Sequence, residues 1–323
     1  MTEVESCSDH SKWDDYIVEN GGHPLQLWGW GEVKAAHGWR VEHVFIKKDQ
    51  VTIGAAQLLV KSLPSVFKAL TYIARGPVAK VESREEVLEV LADYTKKTYG
   101  GVGLTIEPDW EAVPQIQGWI KSANTILIPR TLILDLAKTE DELLADMTKK
   151  TRQYIRKSAT DVEVRQVKGR EELEKCMSLY KLTAQRAGFP LHSDAYYYDI
   201  FEKMGEFSPV FAAYHQDKPV AFLWLAISGE TAFELYGGMD DKGQELRANY
   251  TLKWQTIQTM KKWGIRRYDF NGLLNDGVST FKQGFASHET MLAGTYDKPF
   301  SPLYFAWSKG LPLAKKLVRT FKR

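Results

Sequence analysis

Two stretches of this chain carry the same pattern in the same order, and that repetition limits the fold more than any other feature. WRVEHVFIKKDQVTIGAAQLLV, from Trp39, reads as strand, polar turn and strand, and SPVFAAYHQDKPVAFLWLAI, from Ser208, reads the same way with its turn at Gln216 to Pro219. The apolar spacing predicts a helix before each hairpin, over 27–37 and 196–204, and further strand then helix after each, the later helices over 85–98 and 250–263. Helix, antiparallel hairpin, strand and helix, twice over, predicts an α/β (α+β) protein of two tandem copies of one unit, with mixed sheets flanked by helices. The alternative is coincidence, since hairpins between helices recur in many α+β proteins.

A length of 323 residues fits two domains. A boundary is expected near Ala137: TLILDL, Thr131 to Leu136, alternates as a strand, and KTEDELLADMTKKTRQYIRKSA after it is helical, with Thr139 and Glu142 in capping-box spacing. The second unit runs to about Gly294, and the proline-interrupted remainder returns to the first. The expected domains are therefore 1–137 plus 295–323, and 138–294.

The composition, 44% hydrophobic and 26% charged, is that of a globular protein rather than a disordered one. The longest apolar stretch, Val220 to Ile227, is far short of a membrane span, and MTEVESCSDH lacks the basic start and apolar middle of a secretory signal, so a cytoplasmic location is expected. Cys7 and Cys176 stand alone and are read as ordinary thiols. A formal charge of +2 gives no overall attraction to polyanions, so any such partner relies on local patches. One patch is KKTRQYIRK, Lys149 to Lys157. The other is the tail from Lys309 to Arg323, an amphipathic helix by its spacing, either packed on the body or in contact with a membrane surface or RNA.

Familiar catalytic devices are missing: no G-x-S-x-G, no G-x-x-x-x-G-K-[ST], no H-E-x-x-H, and no histidine spacing suited to a metal. No metal and no cofactor is expected. The duplicated unit is similar to an N-acetyltransferase, yet the pyrophosphate loop of such enzymes has only a weak match in TYGGVG, Thr98 to Gly103. What remains is a set of cations beside aromatic residues and glycines. Lys34 follows Trp28 and Trp30, Arg186 stands before a glycine that stops its helix, and Lys282 lies in FKQGF, in a stretch that reads as the exit from a buried strand. Each is also readable as an ordinary surface cation.

LQLWGWGEVK, YIARGPV, MTKKTRQYIRKSA, RAGF, YDFNGLLND and FKQGF occur in the order seen in the Fem family of peptidoglycan interpeptide-bridge aminoacyltransferases, and the chain resembles that family over nearly its whole length. The resemblance implies two acetyltransferase-like (GNAT-like) domains, the first for the precursor and the second for the aminoacyl-tRNA end, with no coiled-coil arm. It implies transfer of an amino acid from aminoacyl-tRNA to the stem peptide of a uridine-diphosphate (UDP-MurNAc-pentapeptide) or lipid-linked precursor. Lys282 matches the family lysine assigned to the tRNA end and to developing charge, with Phe281 as a packing surface for the terminal adenosine and Gly284 allowing close backbone approach. Lys34, beside Trp30, and Arg186 match the residues that hold the precursor diphosphate. Glu107 or Asp109 contacts the acceptor, or else both cap the following turn. Lys149, Lys150, Arg152 and Arg156 form a tRNA contact or a solvated helix face. Ala286 and Ala187 depart from the family pattern. The other readings are a coenzyme A-dependent N-acyltransferase on the same fold and a non-catalytic module that binds RNA or a membrane surface.

Overall fold

The structure is a computed structural model that describes residues 2–274 and 276–310. The chain divides into two compact units, Met1–Pro129 with Leu292–Arg323, and Arg130–Met291.

The first unit opens with β1 (Thr2–Cys7), followed by α1 (His10–Glu19) and α2 (Trp28–Ala36). Asp9 caps α1 through its side chain, and α2, whose own N-cap is Leu27, is capped instead by Asp14 of α1, which accepts the Trp28 N–H at 2.8 Å. The hairpin follows as β2 (Arg40–Lys48) and β3 (Val51–Ser62). Its two-residue turn places both Asp49 and Gln50 at positive φ, the mirror-image geometry that matches strand twist. β4 (Ala69–Ala74), α3 (Arg84–Thr98) and β5 (Gly103–Glu107) complete the run, with β4 and β5 parallel and registered from Leu70 opposite Gly103 to Ala74 opposite Glu107. Val87, Leu88 and Leu91 of α3 pack on Val44, Ala56, Ile73 and Leu104 of the sheet.

The second unit begins with β6 (Ile133–Asp135), α4 (Glu140–Asp146) and α5 (Lys149–Ser158). The capping box at Thr139 and Glu142 forms as expected, but the helical stretch breaks at Met147, and Thr148 caps a second helix. Then the order of the first unit recurs: β7 (Glu163–Gln166), α6 (Arg170–Ala187), α7 (Asp194–Met204), hairpin β8 (Val210–His215) and β9 (Lys218–Ser228), β10 (Thr231–Met239), the short α8 (Asp241–Leu246), α9 (Ala248–Lys262) and β11 (Arg267–Asp269). The hairpin turn repeats as well, with Gln216 and Asp217 both at positive φ. β10 and β11 are parallel, like β4 and β5, over Thr231–Phe233 against Arg267–Asp269. α10 (Gly277–Gln283) follows β11, and the chain then returns to the first unit as β12 (Tyr296–Pro299).

The sheets match strand for strand, β1-β2-β3-β4-β5-β12 against β7-β8-β9-β10-β11-β6, with short strands Val78–Ala79 and Ile120–Lys121 added at the sides of the first. The sixth strands are exchanged in chain order. β6, which follows the first repeat in sequence, pairs antiparallel with β11, and β12, which follows the second, pairs antiparallel with β5. This is why the units divide at Pro129/Arg130 and Met291/Leu292 rather than near Ala137 and Gly294: the strand in TLILDL is part of the second sheet. Both ends of the second unit meet, Arg130–Thr131 pairing antiparallel with Thr290–Met291 and the Arg130 side chain donating to Glu289 at 2.6 Å.

A unit whose ends adjoin and whose strands are all internal has what it needs to fold alone. The excised fragment Arg130–Met291 is expected to melt in one cooperative transition, whereas the fragment ending at Pro129, deprived of β12, is expected to show none; circular dichroism against temperature distinguishes them.

Candidate active site

Lys282 lies on the last turn of α10, so the stretch that reads as the exit from a strand is a helix. Asp276 nucleates it: its Oδ1 accepts from the Ser279 N–H and hydroxyl, both at 2.8 Å, and these bonds hold the Asp276 carboxyl below the usual range. A single short helix of mixed composition gives no clear periodic signal, and the flanking aromatics read equally well as strand.

The half-buried Lys282 ammonium donates to the main-chain oxygens of Asn271 and Gly272, the latter at 3.0 Å. Those carbonyls turn to it because Asn271 and Gly272 both have positive φ, bending the chain sharply at the end of β11. Asn271 is pinned twice, its N–H donating to Asp269 Oδ1 at 2.8 Å and its Nδ2 to the Glu234 main-chain oxygen at 2.9 Å. Asp269, fully buried, also accepts from Thr131 at 2.5 Å. Burial pushes the Lys282 ammonium down, and the carboxylates of Glu234, Asp269 and Asp276 push it back up. The lysine that has no acid within its sequence motif thus has three around it in the fold.

Beneath this seat is a buried ion pair. Lys253 of α9 donates to both Glu234 oxygens, at 2.5 and 2.7 Å, and Tyr268 donates to Oε1 at 2.8 Å. Phe281 rests edge-on against Tyr250 and Phe285, with ring centres 4.9 and 5.3 Å away. Gly284 corrects the reading of close ligand approach. An added Cβ there would collide with Thr151 Oγ1, and Gly284 O accepts the Thr148 N–H at 3.0 Å, so the missing side chain lets α10 pack on the start of α5.

Lys34, half-buried on α2, lies 4.4 Å over the Trp30 ring, and burial pushes its ammonium down to about 8. Trp30 is itself buried. Arg186 occupies the last turn of α6, which Gly188 ends in the left-handed conformation as expected. Its Nη2 donates to Met239 O at 2.8 Å, and its Nη1 reaches Asp241 and Gln244, each at 3.3 Å.

Two candidates are occupied with internal work. Glu107 is fully buried: Tyr72 and Thr295 donate to its carboxylate, as do the Ile126 and Leu127 N–H groups at 2.9 and 3.0 Å, which leaves no oxygen for an acceptor. Asp109 beyond it is half-buried. Arg152 donates to Leu144 O at 2.9 Å and Met147 O at 2.6 Å, closing the C-terminal end of α4, so it leaves the basic face of α5 to Lys149, Lys150 and Arg156, all exposed. Arg247, which the sequence did not mark, stacks 3.6 Å from the centre of the Tyr154 ring on that helix. TYGGVG opens no helix; Gly101 passes against Ala69 and the chain runs into β5. Glu234 and Lys253 also went unmarked, though an acid in AFELYGG and a lysine in TLKWQTI, each inside an apolar run, are the signal of a buried pair.

Among the described residues no cluster of ligating side chains suits a metal ion, and no helix is long and apolar enough to cross a membrane. The FemAB family's sequence model matches residues 9–118, 115–215 and 202–312. The chain belongs to the FemAB family. Within it, the lipid II:glycine glycyltransferase of Staphylococcus epidermidis is 23% identical over 388 residues, spanning 91% of this chain and 92% of that protein. The alignment is longer than the chain, so the relative carries residues with no counterpart here. The enzyme of the same name from Staphylococcus aureus (strain MRSA252) is 31% identical over 215 residues, 60% of this chain and 50% of its own length. Among solved structures, FemX superposes with a TM-score of 0.83 at 20% identity over 95% of this chain and all of its own, and a tandem GNAT protein from the clavulanic acid pathway with 0.55 at 11% over 94% and 99%. The FemAB fold here is thus two GNAT-like units, as the repeated pattern implies.

Because the Gly284 contact is with helix rather than ligand, Gly284→Ala is expected to lower stability by about 1–3 kcal/mol through overpacking. Pairing it with Thr151→Ala should recover most of that loss in thermal melts; no recovery would mean that the collision is not with Thr151.

Proposed function

We propose that this protein transfers an aminoacyl group from aminoacyl-tRNA to the side-chain amine of a peptidoglycan-precursor stem peptide, extending an interpeptide bridge. The observation that carries the reading is the seat of Lys282, a cation held at a helix end by two carbonyls and three nearby carboxylates, in a FemAB member whose curated relatives are named for transfer of glycine to lipid II. The aminoacyl ester arrives activated. The neutral acceptor amine attacks its carbonyl carbon, the C–N bond forms as the carbonyl oxygen takes up charge, and collapse breaks the C–O bond to the tRNA ribose oxygen, which leaves with the proton lost by the amine. Such a reaction needs positioning and a cation for the oxyanion, with no covalent enzyme intermediate.

Lys282 supplies that cation or meets a phosphate of the tRNA end, and the exposed part of Phe281 offers its ring to the terminal adenosine. Lys34, supported by Trp30, meets the precursor diphosphate as a point charge, and Arg186 offers a fork suited to phosphate. Asp109 takes the place at the acceptor that Glu107 is too enclosed to fill. Lys149, Lys150 and Arg156, extended by Arg247, form the tRNA-facing surface. The first unit then serves the precursor and the second the tRNA end. The relatives' lipid II favours a lipid-linked acceptor, with the soluble uridine-diphosphate form as the alternative, and a tRNA donor fits a cytoplasmic location. The basic tail proposed to touch the inner membrane surface falls mostly outside the described residues. The coenzyme A-dependent reading draws no support from TYGGVG, which packs as a turn.

Mass spectrometry of the precursor after incubation with charged tRNA tests the proposal, the expected result being a gain of one amino-acid residue. Lys282→Ala should cut turnover by about a hundred- to a thousandfold with little change in precursor affinity. Lys34→Ala should weaken affinity first. Phosphate selects the protonated Lys34, which the free protein loses above about pH 8, so precursor affinity should decline as pH rises past that point, by at most about tenfold per unit. Lys34→Ala should flatten that decline; the same slope in the variant would reassign it to another group.

A further inference from the structure

We infer that Glu234 and Lys253 form a buried charge-balancing pair that positions Lys282: the pair anchors the carbonyl seat on which the Lys282 ammonium rests, and Lys253 neutralises Glu234 so that the ammonium stays on that seat instead of being drawn to the carboxylate. This rests on the role given above to Lys282.

The geometry has three parts. Both side chains of the pair are nearly sealed from solvent, 7% and 6% exposed for Glu234 and Lys253, and their contact uses both carboxylate oxygens. The seat hangs from the same residue, because the Glu234 main-chain oxygen accepts from Asn271 Nδ2, and Asn271 and Gly272 present the carbonyls that Lys282 uses. The Lys253 ammonium also lies 4.5 Å from the Phe270 ring centre and 5.4 Å from that of Phe281, the residue before Lys282. A displaced pair would therefore disturb Phe281 directly and the seat through a shift of the β10 backbone at Glu234.

The charged and titratable groups around the ammonium come from three packed elements and from the cap of α10, while α5 meets α10 through the uncharged Thr148 and Thr151. The groups are Glu234 from β10, Lys253 from α9, Tyr268 and Asp269 from β11, with Arg267 3.8 Å from Asp269, and Asp276 at the entry to α10. Burial pushes Lys253 down, Glu234 pulls it up, and the charge of Lys282 pushes it down again, while Glu234 pulls Lys282 up. The two lysines therefore share one carboxylate electrostatically, and only Lys253 holds it by hydrogen bonds. Removing Lys253 leaves a buried anion whose remaining cation is Lys282. Removing the Glu234 charge takes away an attraction that keeps Lys282 protonated. Because removing Lys253 favours the protonated form of Lys282, a fall in turnover in that variant reports displacement of the ammonium rather than loss of its charge.

The experiment is competitive labelling of lysines in the full-length protein with an amine-reactive anhydride across a pH series, read at Lys282 by mass spectrometry. Lys253→Met is expected to move the Lys282 titration to higher pH, and Glu234→Gln to lower pH, each by about one unit. Lys253→Met should also cut turnover in the transfer assay about tenfold or more, an effect of misplacement, with the precursor KM unchanged. Shifts of the same sign, or no shift, overturn the inference. Should either variant fail to fold, Tyr268→Phe, which deletes only the hydroxyl shared with Glu234, carries the test: the Lys282 titration should rise, and an unmoved titration overturns the inference by itself. The labelling does not depend on activity. If Lys282→Ala leaves transfer intact, the proposed role of Lys282 fails on its own, and if that variant is inactive while the titrations do not move, only the pair fails.

Discussion

A lysine ammonium drawn partly out of water keeps its charge only where protein oxygens stand in for the lost hydration, and the second unit supplies them from several elements. Asn271 and Gly272 give carbonyls, while Glu234, Asp269 and Asp276 give charge. These five residues sit on four structural commitments: the middle of β10, the end of β11, the turn that leaves it, which holds both Asn271 and Gly272, and the cap of α10. The carboxylates in turn need their own partners, which is why Lys253, Tyr268 and Thr131 are buried beside them. Lys282 is therefore less a surface cation than the exposed end of a polar network that runs into the core.

The two units show how one architecture was put to two uses. Both close their parallel strand pair with a buried carboxylate at the end of the second strand, Glu107 in the first unit and Asp269 in the second, and each accepts from a threonine shortly before the sixth strand, Thr295 and Thr131. In the first unit further donors from Tyr72, Ile126 and Leu127 surround that carboxylate, and it is structural. In the second, Asp269 fixes Asn271, and through it the carbonyls under Lys282. The exchange of sixth strands makes the second unit an insertion in the first, with its ends tied by Arg130–Thr131 and Thr290–Met291.

Much of this was legible in the residues. The hairpins, their turns, the capping box at Thr139 and the helix stop at Gly188 follow from local rules, in which each residue's neighbours in sequence are also its neighbours in space. Local rules mislead where that identity fails. FKQGF looked like strand because a seven-residue helix is too short to show a period. Gly284 reads as a ligand contact because Thr151, whose Oγ1 it makes room for, is far away in sequence. Arg152 and Glu107 looked available because their partners, main-chain groups in the case of Arg152 and donors from three separate segments in that of Glu107, leave no mark on residue type.

The sequence by itself determined that the chain is a duplicated α/β protein of the FemAB type and marked a set of candidate cations, because periodicity, turn chemistry and motif order are local properties written along one dimension. Only the tertiary structure decided which of those cations are committed to internal bonds, which unit each strand joins, and that Lys282 rests on two carbonyls above a buried ion pair. Those outcomes depend on desolvation and on hydrogen bonds between residues distant in sequence, and neither quantity exists until the chain has folded.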